Sequence, residues 1–344
     1  MAVAEMGRGV ELRILVTGGL GFIGSNFIQY MLVKHRNVEI VNVDKMSYGA
    51  NPANLKSYET NPRYTFYRGD IAEKAPTRKL VRDVDVVVNF AAESHVDRSI
   101  VDPWPFVHSN IIGVLTILEA IRQADNHARL LQVSTDEVYG EVREGSANEH
   151  APLAPSSPYA ASKASADMLV GAHHRTYGTD VVITRCTNNF GPYQFPEKLI
   201  PKTVIRARNN LVVPMYGSGS AVRDWIYVAD HCEALDVVIA NGKSGEIYNI
   251  AGHNELENLE IVRRILEISN RPQRLVRHVE DRPGHDARYS LDDAKIRKKL
   301  GWRPRHRFEE ALKQTVEWYV GNEEWWRPIA TKKLLDPTPW KLRW

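Results

Sequence analysis

Two stretches of the chain combine side-chain types at spacings that suit acid–base chemistry. The run Val133-Ser134-Thr135-Asp136-Glu137 puts a hydroxyl and two adjacent carboxylates directly after the apolar segment Leu130-Leu131-Gln132-Val133. A short apolar run of this kind reads as a buried strand, and open α/β sheets receive their ligands outside the carboxyl ends of the strands. Neighbouring carboxylates serve as separate acid and base when their environments hold their proton affinities apart. Downstream lies Tyr159-Ala160-Ala161-Ser162-Lys163. On a helix, this i,i+4 spacing puts the phenol and the ammonium on one face, where the cation favours the phenolate. Thr135, Asp136, Glu137, Tyr159 and Lys163 are therefore the expected catalytic set.

The elements that must position them are legible upstream. Residues 12–17 form an apolar strand that runs into Gly18-Gly19-Leu20-Gly21-Phe22-Ile23-Gly24, and a helical pattern follows from Ser25 to Val33. Spaced glycines between a strand and a helix permit a tight turn and close backbone approach to a pyrophosphate at the helix N-terminus. A second strand, Val38–Val43, ends at Asp44, where a carboxylate can hold ribose hydroxyls and repel a 2′-phosphate; this favours NAD over NADP, with Lys45 a softening influence. A third, Tyr64–Arg68, stops at Gly69-Asp70-Ile71, where Asp70 suits either an adenine amino group or a turn. A fourth, Val84–Phe90, is almost continuously apolar, as in a parallel strand covered on both faces, and ends in Ala91-Ala92-Glu93-Ser94-His95. A helix is expected from Ser109 to Gln123. Ser156 and Ser157 are candidate caps, and Pro158 suits the first turn, of the helix carrying Tyr159 and Lys163. The alternation predicts a doubly wound parallel sheet. A further strand, Val181–Arg185, precedes a turn-rich, amide-rich segment that opens the substrate side. Helix 228–240 and strand 246–250 return to the sheet, and the pattern from Leu256 onward is mainly helical.

Composition narrows the function class. At 344 residues, with 43% hydrophobic and 25% charged residues, the chain has the make-up of a soluble globular protein. Its net charge of +3 has mixed signs, and this gives no footprint for nucleic acid. The basic run Lys295–Lys299 reads as a solvated helix face. Two cysteines, Cys186 and Cys232, exclude a disulfide framework and read as small core residues in a reducing compartment. No uninterrupted apolar span suits a membrane, and residues 1–10 lack the apolar centre of a secretory leader. A cytoplasmic protein is expected. The aromatic end (Trp318, Trp325, Trp326, Trp340, Trp344) reads as packing of a C-terminal tail.

Longer motifs carry a resemblance. Thr17–Ser25, Thr135 and the Tyr159/Lys163 pair resemble the extended short-chain dehydrogenase/reductase superfamily. Within it, Ala91–Ser99, Ser134–Gly140, Asn188–Tyr193, Phe195–Pro201, Arg223-Asp224-Trp225 and Asp281–Asp286 are similar to the dTDP-glucose 4,6-dehydratase family. The likeness spans about residues 12 to 328; Ser109, Thr187 and Phe190 are close exchanges for the threonine, serine and tyrosine expected there. The resemblance implies a Rossmann domain over 12–187, rejoined by 228–250. A smaller mixed C-terminal domain for a nucleotide-diphosphate sugar would span 188–227 and 251–330, with 331–344 as a tail.

The resemblance also implies roles. Gly18, Gly21, Phe22, Ile23 and Gly24 would hold the pyrophosphate of a tightly bound NAD+, Asp44 the ribose, and Asp70 and Ile71 the adenine, with Lys45 and Ser47 also in the cofactor site. Ala91, Ala92, Ser94, Ser109, Tyr159, Lys163 and Asn189 would line the rest of the cofactor site. Ser94, His95, Thr135, Asn188, Glu197, Lys198, Leu199, Pro214, Tyr216, Arg223, Asn258, Arg282 and His285 would bind the substrate, with Tyr216 and Pro214 around the base and Arg223 on phosphate. The implied reaction converts dTDP-glucose to dTDP-4-keto-6-deoxyglucose for deoxysugar biosynthesis of the rhamnose type. Tyr159 takes the C4 hydroxyl proton and hydride leaves C4; Glu137 removes the C5 proton while Asp136 protonates the departing C6 hydroxyl; hydride returns to C6. No metal is called for, and a homodimer through the helices at 109–123 and 159–174 is implied. A 4-epimerase on the same scaffold would share Tyr159, Lys163 and the glycines but has no need of adjacent acids after Thr135. A non-catalytic NAD-sensing protein would need none of the five.

Overall fold

Alternation along the first strand sends Ile14 and Val16 into one hydrophobic core and Leu15 into another, on the opposite face of the same sheet. That two-sided burial is why the parallel strands read as apolar runs. In the computed structural model, which describes residues 12–343, the strands are β1 (Leu12–Thr17), β2 (Val38–Asp44), β3 (Tyr64–Arg68), β4 (Val86–Asn89), β5 (Arg129–Thr135), β6 (Val181–Cys186), β7 (Asn188–Phe190), β8 (Val213–Tyr216), β9 (Val222–Tyr227), β10 (Ile247–Ile250), β11 (Glu255–Glu257) and β12 (Val276–Val279). Residues 1–11 and Trp344 lie outside the described residues, so the leader reading and the last tail aromatic are not addressed by it.

The main sheet has 7 strands in the order β10-β6-β5-β4-β1-β2-β3, and every pairing is parallel. The winding direction reverses between β1 and β4, which opens a crevice at their carboxyl ends. Register fixes what projects there: Thr17 pairs with Asn89 and Asn89 with Gln132, so β5 continues past its neighbour as far as Thr135. Helices Phe22–Lys34 and Val228–Asn241 cover one face. The run Trp104–Arg122 and helix Pro158–Tyr177 cover the other.

A third hydrophobic core gathers Phe190, Ile200, Trp225, Ile261, Leu312 and Tyr319 around the 3-stranded sheet β11-β9-β7. A 2-stranded sheet, β12-β8, lies beside it. The stretch after Leu256 is thus less purely helical than its pattern implies. β11 is three residues long and two of its side chains are exposed, and the middle of β12 is also exposed, so neither offers an alternating apolar signal.

The run Trp104–Arg122 is long and apolar enough to span a membrane by length and composition, but 56% of its most apolar 18-residue window is buried inside the fold. Its N-terminal half includes Val107–Ile112, wound as a π turn, a widening common at functional positions. That turn brings Asn110 to the backbone oxygen of Glu93 (3.0 Å) and the hydroxyl of Ser162 (2.8 Å). Lys295, expected on a solvated face, instead donates to Glu246 and to the Ile247 carbonyl, both at 2.6 Å. Cys186 and Cys232 are both buried free thiols.

Candidate active site

The glycine turn is shaped by what stands against it. Gly18 has φ +69°, and a Cβ there would meet the Ala91 backbone nitrogen at 2.7 Å; a Cβ on Gly24 would meet the Gly18 carbonyl at 2.6 Å. Only glycine allows β1, the turn and β4 to approach this closely. The helix that follows, Phe22–Lys34, begins at Gly21 with no side-chain cap and no acidic residue in its first turn. Its first N–H groups are left to an external anion. At the end of β2, Asp44 is buried, accepting from Leu20 N (3.0 Å) and Met46 N (2.7 Å). Burial raises its proton affinity, against those backbone bonds. Lys45 lies 2.5 Å from the Ser109 hydroxyl, 3.6 Å from Glu93 and 3.8 Å from Asp70. Asp70 also closes its own turn through Ala72 N, so the turn reading holds for one of its oxygens.

These residues line a cavity of ≈ 280 Å³ that runs from the glycine turn to the Tyr159/Lys163 helix. Every residue named above for the cofactor faces it, including Ser47, Ile71, Ala92, Ser94 and Asn189. The Asn189 amide is held within the fold, by Thr187 O and by a 2.8 Å contact to His231. An uncapped helix N-terminus, glycines that leave no room for a Cβ, and an acid at the β2 end fit a dinucleotide.

The chemistry-bearing residues stand at the far end of this cavity. Thr135 caps the turn Asp136–Tyr139, accepting from Glu137 N at 3.3 Å while its hydroxyl donates to Asp136 Oδ1 at 3.1 Å. Asp136 is almost fully buried, and burial, then the charge of Glu137, push its carboxyl up to about 8. Glu137 is also raised by burial, but Arg282, Arg223 and Lys198 pull it back. Asp136 Oδ2 and Glu137 Oε2 are buried without a hydrogen-bond partner. Such unpaired atoms are costly in a native interior and mark a place for a ligand.

Helix Pro158–Tyr177 starts as its sequence predicts, with Ser157 accepting from Ala160 N (3.1 Å) and Pro158 in the first turn. Ser156 is not a cap; it bonds Asp286. Tyr159 and Lys163 are both buried. Lys163 is not among the leading influences on the Tyr159 phenol in this arrangement. Lys163 Nζ donates to the Val133 carbonyl at 2.7 Å, and burial followed by Glu137 holds the Tyr159 phenol well above its ordinary value. The Thr135 hydrogen bond acts the other way.

A second cavity, ≈ 170 Å³, opens beyond Glu137; Asn188 and Lys198 line both. Into it face His95, Glu197, Leu199, Pro214, Tyr216, Arg223, Asn258, Arg282 and His285. Ser94 and Thr135 stand on the first cavity instead. Arg223 crosses the Tyr289 ring at 4.2 Å and donates to Asp286 O at 3.0 Å. Glu197 is fully covered, 3.3 Å from Arg98 and 3.5 Å from His95. His285 lies 2.7 Å from Asp281. Asn188 Oδ1, Asn258 Oδ1 and Arg282 Nε have no partner in the fold.

Several residues of these cavities escaped the sequence reading. Tyr48 carries Arg98 over its ring at 3.2 Å and lines the first cavity, and Gln194 and Cys186 also line it. Asp97 and Lys202 line the second. Asp97 lies inside a recognised motif, two positions past His95; Cys186 ends β6, and the others sit in loops or a helix interior with no distinguishing spacing.

The family described as GDP-mannose 4,6 dehydratase matches residues 15–315. A dTDP-glucose 4,6-dehydratase of Streptomyces niveus is 47% identical over 334 residues, covering 95% of this chain and 98% of the relative. The chain belongs to the nucleotide-sugar 4,6-dehydratase family. A low-salt glycan biosynthesis protein, Agl12, of Haloferax volcanii is 50% identical over 90% of this chain and 99% of its own. Among solved structures, the dTDP-glucose 4,6-dehydratase DesIV of Streptomyces venezuelae, with NAD and the ligand abbreviated TYD bound, superimposes with a TM-score of 0.90. It is 46% identical, covering 92% of this chain and 99% of that one.

Proposed function

We propose that this member of the dehydratase family converts dTDP-glucose to dTDP-4-keto-6-deoxyglucose, with NAD+ retained in the first cavity and the nucleotide-diphosphate sugar reaching in from the second. The observation that carries the reading is the buried pair Asp136 Oδ2 and Glu137 Oε2, both unpartnered on residues that line the first cavity with Tyr159, Glu137 facing the second as well. An epimerase scaffold has no use for that pair. The residue motifs and the names of the relatives support the same choice.

Gly18, Gly21 and the uncapped N-terminus of helix Phe22–Lys34 would hold the pyrophosphate, and Asp44 the ribose. NAD+ bound there supplies the acceptor for hydride from C4 and, once reduced, the donor to C6. Tyr159 takes the proton of the C4 hydroxyl. Its burial makes it a strong acceptor once ionised, and the Thr135 hydrogen bond favours that ionised form. The resulting 4-keto group acidifies C5–H, and Glu137 removes that proton. Asp136 is neutral at pH 7 because its carboxyl is held up to about 8, so it donates to the C6 hydroxyl as the C6–O bond breaks and water leaves. Glu137 returns a proton to C5 when hydride arrives at C6. Arg223, Arg282 and Lys198 supply cations for the diphosphate.

The segments 12–187 and 228–250 then form the cofactor part, and 188–227 with 251–330 the sugar-nucleotide part. The assembly is a homodimer. Trp104 (76% exposed), Val107, Ile112, Met168 (66%) and Tyr177 leave an apolar face on the run Trp104–Arg122 and helix Pro158–Tyr177, the kind of patch that marks a protein contact. The product would serve deoxysugar biosynthesis in the cytoplasm.

Substrate carrying deuterium at C4 tests the reading. The account expects the label at C6 of the 4-keto-6-deoxy product. Label kept at C4, or lost to solvent, contradicts it.

A further inference from the structure

The C-terminal segment after the last helix does not trail away from the fold. Leu335 is buried in the core of the substrate half. Lys202 Nζ, from the wall of the second cavity, donates to Asp336 O at 3.1 Å, and Arg206 donates to Leu335 O. The chain then makes a short turn, Pro339–Lys341, that brings Trp340 to the back of Tyr216. Trp340 is 9% exposed, and its ring meets that of Tyr216 edge-on, with centroids 4.7 Å apart at 84°. Tyr216 faces the second cavity; Trp340 does not.

The Tyr216 ring also meets His285 more loosely, with centroids 6.4 Å apart at 74°, and its hydroxyl donates to Asp97 Oδ2 at 3.1 Å while Asp97 Oδ1 receives Arg282 Nη1 at 3.2 Å. A hydrogen bond at the phenol oxygen lies on the axis about which the ring turns, so it fixes where the ring ends and leaves its plane free. That torsion is intrinsically broad. The indole of Trp340, the nearer of the two rings packed edge-on to Tyr216, restricts that freedom most.

We propose that the C-terminal tail is a working part of the nucleotide site, with Trp340 a positioning residue that sets the plane of Tyr216 for stacking on the base. The proposal rests on the assignment of the second cavity to the nucleotide-diphosphate sugar. Trp340 touches no reacting atom, so its loss acts on nucleotide affinity and leaves the chemical steps in place.

The test uses the full-length holoprotein with Trp340→Ala, Trp340→Leu and Trp340→Phe. KM and kcat for dTDP-glucose are measured, together with the dissociation constant of dTDP by calorimetry, bound NAD and melting temperature. An edge-to-face pair is worth up to roughly a tenfold change in affinity, so the alanine and leucine variants are expected to raise KM and the dTDP dissociation constant by about that factor. Turnover stays within about threefold, NAD content is unchanged, and phenylalanine restores most of the affinity. If Trp340→Ala does not fold, Trp340→Leu, which keeps apolar bulk without a ring, decides. Unchanged dTDP affinity in Trp340→Leu, or failure of Trp340→Phe to restore it, overturns the proposal. So does unfolding of both variants, since the tail would then be only a brace. Failure of the unsubstituted protein to bind dTDP overturns instead the assignment of the cavity.

Discussion

Asp136 and Glu137 are chain neighbours on one turn, yet the fold gives them different electrostatic company. Asp136 is buried against Glu137 and hydrogen-bonded by Thr135, and its carboxyl is pushed up to about 8. Glu137 feels Arg282, Arg223 and Lys198, which oppose the effect of its burial. In the proposed reaction this difference is what divides the two adjacent carboxylates into a proton donor and a proton acceptor.

Asp136→Asn is expected to lower turnover by about 10²–10⁴-fold, the usual worth of a positioned general acid. Substrate binding and bound NAD should persist, because the amide keeps the shape and the Thr135 contact. Steady-state kinetics with a nucleotide assay of the denatured protein checks both. Full activity in the double variant Asp136→Asn with Glu137→Gln would remove the dyad from the mechanism.

The raised carboxyl of Asp136 fixes the direction of the pH dependence. Its protonated form is the active one, so kcat should hold to about pH 8 and fall by about tenfold per unit above it. Stability runs the same way. Between the ordinary aspartate range and about 8 the unfolded chain releases a proton that the folded chain keeps, so stability falls as pH rises through that window and levels off above it. Asp136→Asn should flatten this slope, which thermal melts across the range would show.

Gly18→Ala should yield protein largely free of NAD. The new Cβ would stand 2.7 Å from the Ala91 backbone at φ +69°, and the turn must move to relieve it. The ratio of ultraviolet absorbance at nucleotide and protein wavelengths, read on purified protein, checks the loss. An unchanged ratio would mean that the turn does not hold the cofactor.

Met168→Glu with Ile112→Lys places charge on the exposed apolar face of the run Trp104–Arg122 and helix Pro158–Tyr177. Light scattering is expected to show a dimer for the unsubstituted protein and monomers for the variant. A dimer of unchanged mass would place the contact elsewhere.

Much of the sheet was legible because its signals are local. β1 with its glycines, Asp44 at the end of β2 and the Ser157–Pro158 start of the Tyr159 helix each depend on a few consecutive residues. What stayed hidden depends on contacts between distant parts of the chain. The Tyr216–Trp340 and Asp97–Arg282 contacts join residues that no spacing relates. Tyr159 is the instructive miss. Its i,i+4 lysine suggests a lowered phenol, but the Lys163 ammonium donates its hydrogen bond to Val133 O, and burial, which spacing does not report, drives the phenol upward.

The most direct measurement is a single incubation of the purified protein with dTDP-glucose, without added NAD, followed by the alkali-induced absorbance of a 4-keto-6-deoxy sugar. The account predicts that the absorbance develops, which requires elimination by the Asp136/Glu137 pair and a cofactor carried through purification. No absorbance from folded protein, even with NAD supplied, would contradict it.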